Sequence, residues 1–405
     1  MRNKLSFTAL TLAALMTACN SSDNTTAVST SVELPGTVDI DAFAANVESV
    51  SVMNLQMGDD WAYIFDPELA FADNYLYMFE NFTMKLICFD RHTGEKLSSR
   101  AIIGNGPGEI VQFIDMFCIG DTFCVRDEKH IIRQYNSKGA FLGKLLEFDE
   151  SFSDYNHIMP LKNGDYALLM LTNRNKDTIP PVILLTDKSF NVKSRYFITP
   201  RDRSFLTVGY APPFFVNDDT VRFFISYDSH LYSLCGDTEK SIELALPNPL
   251  TAKIAESIDI KDPNYFDKMN SYDGKFHDLG ESGRFIAFRY KMNDSYYLSM
   301  LDKRSNNIAS MVCNDETENS TSGIMAELFH HLYYKHTDGK YLYGKYFNKD
   351  LAKLLEGHDE LLDARLKKTQ AEYRAYLERN AEYLKGLEPE ERDEANVILK
   401  IKLKD

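Results

Sequence analysis

Tyr75-Leu76-Tyr77-Met78-Phe79, then Lys85-Leu86-Ile87-Cys88-Phe89-Asp90, then a turn at Thr93-Gly94 and the stretch from Lys96 to Ile103, make the clearest structural unit of this chain. Short runs rich in aromatic and β-branched residues, bounded by turn formers, read as consecutive antiparallel strands. Asp, Asn or Gly at the turns supplies positive φ or an Asx turn, as a tight hairpin requires. The same order recurs downstream. A second copy runs through Thr122–Arg126, Ile131–Tyr135, a turn at Ser137-Lys138-Gly139, and Phe141–Phe148. A third uses Asp165–Leu171, Val182–Thr186 and Val192–Ile198. The fourth and fifth use Val221–Tyr227, Leu231–Cys235 and Lys240–Leu246, then Arg284–Tyr290, Tyr296–Asp302 and Ile308–Val312.

A sixth copy begins at Lys340-Tyr341-Leu342-Tyr343-Gly344, gives way to a helical stretch, and resumes at Val397–Leu403. Successive units start 43 to 63 residues apart, the length of a four-stranded propeller blade. Apolar lead-ins such as Ile110–Ile119 and His330–Lys335 supply each unit's innermost strand. The expected fold is therefore all-β: a six-bladed β-propeller of four-stranded blades, with a helical insertion at 349–386 inside the last blade. That blade lacks its outer strand, while Val47–Leu55 is a strand without a home in the first unit. The N-terminal strand is expected to complete the last blade beside the C-terminal strand, leaving only short, protected edges. Two β-sandwich domains are the competing layout, since they share the rhythm of short strands.

A hydrophobic content of 44% and a charged content of 26% are those of a globular chain. The formal charge of −15 argues against nucleic acid, which needs a basic footprint, and against a polybasic membrane face. Beyond Cys19, the cysteines at 88, 118, 124, 235 and 313 are odd in number and irregular in spacing, which is no disulfide framework. Cys118 and Cys124 flank a turn and could face one another across it, although buried free thiols fit better.

Arg2 and Lys4 give a positive start, Leu5–Leu15 an apolar run, and Met16-Thr17-Ala18-Cys19 a lipobox, followed by a polar tether from Asn20. The run is too short for a permanent membrane span and has the layout of an export signal. The pattern resembles bacterial lipoprotein precursors, which implies a signal peptide at 1–18, acylation of Cys19, a lipidated tether over 19–44, and the propeller over 45–405. No second apolar stretch approaches membrane-spanning length. By analogy with known lipoproteins, Asn20 after the cysteine suggests outer-membrane sorting, with periplasmic or surface display open because only Asp23 is acidic in the tether.

Gly104-Asn105-Gly106-Pro107-Gly108-Glu109, after the first hairpin, resembles the Gly-x-Gly-Pro-Gly-Glu signature of six-bladed, TolB-like or NHL-like β-propeller lipoproteins of Bacteroidetes. With the lipobox and the first two hairpins it covers roughly the first third of the chain. Asn396–Leu403 is similar to the closing strand of that family. The resemblance implies fold and anchoring but no catalytic residues.

Loops joining strands two and three of a blade share one face with loops joining one blade to the next. Candidate binding residues on that face are Asn105, Gly106, Gly108 and Glu109 in the signature, and Arg201, Arg203 and Tyr210 in the loop Thr199–Pro213. The glycines would let backbone amides form an anion-binding nest, or, in the preferred reading, permit a tight crossover with Glu109 bonding nearby amides. Two arginines beside a tyrosine suit an anionic group, although pairing with the surplus of Asp and Glu competes. A second long connection, Leu246–Gly283, carries Asp259, Asp262, Asp267, Asp273 and Asp278. Their spacing is not that of an EF-hand loop. No cofactor is expected, calcium being the one kept in view.

In the insertion, Leu351, Leu354, Leu355, Leu362, Leu366, Tyr373, Tyr376 and Leu384 recur at helical spacing, with breaks expected at Gly357–Asp359 and Gly386. Such a stripe packs against its own domain or presents a partner surface, and in either case the helices are expected to cover or rim the channel mouth. No Gly-x-Ser-x-Gly elbow or His-Glu-x-x-His zinc pattern occurs. The expected function is that of a lipid-anchored, non-catalytic envelope propeller binding a peptide, a glycan fragment or an envelope protein. Trp61 as the only tryptophan weighs against glycans. A lactonase-like, metal-dependent hydrolase is the alternative; it would need acidic and amide side chains of several inner strands to converge.

Overall fold

The computed structural model describes residues 28–34, 39–58, 68–80, 84–148, 155, 157–170, 183–196, 214–225, 228–236, 238–259, 261–312, 320–330 and 332–405. The N-terminal part supplies strand β1 (Val28–Glu33), helix α1 (Ile40–Ala45) and strand β2 (Val47–Val52). Blade one follows as β3 (Glu68–Phe71), β4 (Tyr75–Glu80), β5 (Lys85–Asp90) and β6 (Lys96–Ala101). Blade two is β7 (Phe113–Ile119), β8 (Thr122–Asp127), β9 (Ile131–Tyr135) and β10 (Phe141–Glu147). Blade three is β11 (His157–Pro160), β12 (Tyr166–Leu169), β13 (Ile183–Thr186) and β14 (Val192–Tyr196). Blade four is β15 (Phe214–Asn217), β16 (Thr220–Ile225), β17 (Asp228–Cys235) and β18 (Thr238–Ala245). After helices α2 (Ala252–Ser257) and α3 (Tyr265–Asn270), blade five is β19 (Gly274–Ser282), β20 (Phe285–Met292), β21 (Ser295–Asp302) and β22 (Ile308–Val312).

Helix α4 (Thr321–His330) leads into blade six, β23 (Leu332–Thr337) and β24 (Leu342–Phe347). Then come α5 (Asn348–Leu355), α6 (Ala364–Arg379), α7 (Ala381–Leu384), α8 (Pro389–Asp393) and the C-terminal strand β25 (Asn396–Leu403). The fold is the expected six-bladed propeller. The inner strands touch in a closed ring, β3, β7, β11, β15, β19, β23 and back to β3. The last sheet has the order β2-β25-β24-β23. Its outer strand is the N-terminal one, antiparallel to β25 with Val47 opposite Leu403 and Val52 opposite Leu399.

The blade sequences are apolar at successive positions because each blade is buried on both faces. Along β4, Leu76 and Met78 enter the core shared with blade six, while Tyr77 and Phe79 enter the core shared with blade two. The period of two in a strand sends neighbours to opposite wedges. Three further apolar clusters fill the wedges between blades two and three, three and four, and four and five.

Several expectations change. The stretch expected to be a tether contains β1, a parallel fifth strand on the rim of blade four, with Val28 opposite Lys240 and Glu33 opposite Ala245, as well as α1. The connection 246–283 is not one loop: it holds α2, α3 and the inner strand β19. Its Asp273 is buried and accepts from the amides of Asn248 and Asn293 at 2.9 Å each. Cys118 pairs across the hairpin with Phe123, and Cys124 with Phe117. That one-residue offset puts the two thiols on opposite faces of the sheet, and both are free.

The largest correction concerns the insertion. Its apolar stripe is buried as expected, Leu366, Tyr373 and Tyr376 included, and it breaks after Leu355, with Gly357 at φ +85°. However, α6 lies along the outer edge of the last blade rather than over the channel mouth. The reason is chemical: β2 is an outermost strand, and its unpaired backbone groups need partners. The Arg365 guanidinium donates to the carbonyls of Ala44 and Val47 at 2.9 and 2.6 Å. The Thr369 hydroxyl donates to Val50 O at 2.8 Å, and Glu372 accepts from Val52 N at 2.9 Å.

Candidate functional site

The signature loop 104–109 joins the outer strand of blade one to the inner strand of blade two. Glu109 Oε2 accepts from Gly106 N at 2.9 Å, so the carboxylate lies in the hollow that the backbone makes. Gly104 has φ +143°, and a Cβ there would fall inside that carboxylate. A Cβ on Gly108 would meet the Phe141 ring at 2.7 Å. Pro107 O and Gly108 O accept from Arg133 Nε and the Tyr135 hydroxyl of blade two, at 3.3 and 3.2 Å. The loop is thus a crossover clasp whose amide is occupied by the chain's own anion, and Asn105 stays exposed on it. Cys19, Trp61, Arg201, Arg203 and Tyr210 lie outside the described residues.

A site that the sequence reading missed opens in the channel. The inner strands β3, β7, β11 and β15 line a partly open cavity of about 210 Å³. Its lining is apolar over most of its extent, with Leu69, Phe71, Met116, Phe117, Met159 and Val216. Polar groups gather where the inner strands begin: Glu68 opens β3, His157 opens β11, and Asp115 is the third residue of β7. His157 Nδ1 lies 3.2 Å from Asp115 Oδ1, and Ile158 N donates to Asp115 Oδ2 at 2.7 Å. Asp115 therefore bridges blade two to blade three and holds the imidazole. In a neutral imidazole that donates Nδ1–H to the carboxylate, Nε2 is an acceptor.

Behind Asp115, across the strand pair, stands Arg126, fully buried. Its guanidinium donates to Tyr155 O, lies 3.0 Å from His130 Nδ1 and covers the Phe148 ring at 5.1 Å. Burial lowers its pKa, and the charges of Asp115 and Asp127 oppose that shift. Cys118 also lines the cavity, but burial pushes its thiol well above the ordinary value, where little nucleophilic thiolate exists at neutral pH. Among the described residues no group of three His, Cys, Asp or Glu side chains is placed to hold a metal ion. Among them, too, no helix is long and apolar enough to cross a membrane.

At the opposite end the hairpin loops stitch neighbouring blades. Asn74 binds Asp121 through its amide N–H at 2.8 Å and its side chain at 2.7 Å. Buried Glu281 gathers Arg222, Lys303 and Asn217. At the seam of the ring, Arg91 of blade one bonds Asp338 and, at 2.8 Å, the Tyr343 hydroxyl of blade six, and Tyr343 stacks on Phe71 at 3.9 Å. These contacts hold the ring closed below the cavity.

Closed ring, blade count and N-terminal closing strand define the class, and comparison of the sequence with family models agrees. The family described as 6-bladed beta-propeller, DUF5128, matches residues 39–329, and the chain belongs to it. No curated protein matches in sequence. Among solved structures, the chain is similar to a protein of Bacteroides fragilis described as exported, with TM-score 0.63, 14% identity, and coverage of 94% of this chain and 100% of that one. Lesser overlaps include a protein of unknown function from Bacteroides caccae, with TM-score 0.35, 10% identity, and 61% and 82% of the two chains covered. Another is BamB from Moraxella catarrhalis, with TM-score 0.28, 12% identity, and 59% of each chain covered. At 14% identity the likeness to the Bacteroides fragilis protein is one of fold.

Proposed function

We propose that this chain is a lipid-tethered envelope propeller, acylated at Cys19, that binds a small ligand or a peptide side chain in its channel without transforming it. The observation that carries the reading is the cavity between the inner strands of blades one to four, apolar with an ordered polar group at one end, which is the usual build of a ligand site. The exported character described for the Bacteroides fragilis propeller supports the envelope assignment, as does the lipobox, and Asn20 after the cysteine favours outer-membrane attachment. An envelope protein is the alternative occupant of this face, contacted through exposed Asn105 with Gly106, Gly108 and Glu109, and through Arg201, Arg203 and Tyr210.

The Asp115–His157 pair favours one second reading, a hydrolase with His157 as general base, because a carboxylate that orients imidazole is a recurrent catalytic arrangement. The deciding experiment is isolation of the full chain from envelopes under native conditions, followed by native mass spectrometry of the wild type and a Met116→Trp variant that fills the cavity. A co-purifying mass lost in the variant supports binding. Turnover of ester or lactone substrates that is abolished by His157→Ala replaces it with the hydrolase. Retention of the mass by the cavity-filled variant removes the channel from the account.

A further inference from the structure

We infer that the channel cavity takes a compact organic cation, an amine or guanidinium on a short apolar body, with its charge at the Glu68, Asp115 and His157 end. This rests on the binding reading above and names the ligand class for the same site.

The sign of the charge is the first argument. Among the described lining residues the acidic groups are Glu68 and Asp115, the one basic group is His157, and no Lys or Arg is present. Asp115 keeps acceptor capacity after its two bonds, since a carboxylate offers about four lone-pair sites. Its two bonds, to His157 Nδ1 and Ile158 N, fix the orientation of the group before any ligand arrives. Such preorganisation reduces the ordering cost of binding. Asp115 thus puts an oriented acceptor at the polar end, which suits a ligand with N–H donors. Arg126 stands behind Asp115 and moderates its charge, but it is directed to Tyr155 O, His130 and the Phe148 ring.

Shape and surroundings give the second argument. The remaining wall includes Phe113, Phe117, Met116 and Met159, and aromatic faces and thioethers accept both apolar stems and cations. At about 210 Å³ the cavity is smaller than the roughly 300–1,000 Å³ of sites for drug-sized ligands, which restricts the occupant to a small amine or one basic side chain. A carboxylate ligand would meet the preoriented Asp115 carboxylate, a group of its own sign. The formal charge of −15 draws cations toward the molecule and repels anions.

The test is calorimetric titration of the full chain at neutral pH with phenethylamine, phenethyl alcohol and phenylacetate, which share a ring and differ in charge. The expected order is amine at least tenfold tighter than alcohol, with no binding of phenylacetate. Asp115→Asn and Glu68→Gln should each weaken the amine about tenfold, and more than they weaken the alcohol. The wild-type order decides the matter even where a variant fails to fold. Methyl resonances of Met116 and Met159 locate the ligand. An alcohol or carboxylate that binds as well as the amine overturns the cation assignment and leaves channel binding standing. If none of the three moves those resonances, the cation assignment falls, and channel binding itself stands or falls with the native mass spectra of the Met116→Trp variant.

Discussion

Gly104 shows how a single position converts a sequence signature into architecture. Its φ of +143° is reserved for glycine, and the space beside it is filled by the Glu109 carboxylate. Gly104→Ala should therefore cost about 1–3 kcal/mol, read as a lower urea midpoint. Adding Glu109→Ala should recover the steric part and leave the backbone part. Lys345 gives a residue-scale prediction about pH. Burial depresses its amine from 10.5 to about 7, so between those values the unfolded chain holds a proton that the folded chain has shed. Stability then rises with pH across that window. Lys345→Met should be more stable than wild type at pH 6, and the gap should close as the pH approaches 10.5; a pH-independent gap in urea midpoints refutes the assignment. Neither position announces its role by residue type alone, and the channel site was less legible still. Asp115 and His157 are 42 residues apart on different blades, so only closure of the ring makes them neighbours. Local spacing, which revealed every hairpin, holds no record of such a pair.

Among the elements, those buried on both faces were easiest to find, because dense apolar runs such as Tyr75–Phe79 have few other homes. Strand β1 was hidden for the opposite reason: Val-Ser-Thr-Ser-Val-Glu at 28–33 sits on a rim, where one parallel partner suffices and a polar composition resembles that of a tether. Helix α6 is legible in the sequence, but its position is not. Its apolar stripe declared a buried face, while a second stripe, Arg365, Thr369, Glu372 and, further on, Asn380, is spaced to meet β2 and the chain flanking it, from Ala44 to Met57. Read as surface, these polar residues carry no address; their partners are backbone groups more than 300 residues away in sequence. Thr369→Val tests the pairing, since it leaves buried Val50 O without its 2.8 Å donor. The expected loss is about 1–3 kcal/mol. Hydrogen exchange should accelerate across Val47–Val52 and remain unchanged in β12 of blade three. Uniform acceleration would mean that the helix does not act through that edge.

For the molecule as a whole, the N-terminal segment runs around half of the ring and does a different thing at each blade. It adds β1 to the rim of blade four, docks α1 beside blade five through Asp39 N to Ser310 O at 3.3 Å, and completes blade six with β2. The three contacts are not equivalent. Losing β1 uncovers one strand edge of a blade that already has four strands. Losing β2 reduces the last blade to three strands, exposes β25, leaves the polar stripe of α6 without partners, and removes buried Phe43, Val47, Val50 and Val52 from the largest core. At about 1.5–3 kcal/mol for each buried apolar side chain, that loss rivals the roughly 5–15 kcal/mol net stability of a typical protein. A chain beginning at residue 35 should therefore remain folded and monodisperse, with a melting temperature close to that of the parent. A chain beginning at residue 54 should lose cooperative unfolding and aggregate, and a peptide spanning 39–57 supplied in trans should restore part of the fold by pairing with β25 and α6. Size-exclusion chromatography and thermal unfolding of the two truncations decide it. If the shorter chain melts like the longer one, ring closure rests on the Arg91, Asp338 and Tyr343 seam between blades six and one, and β2 is an accessory to it.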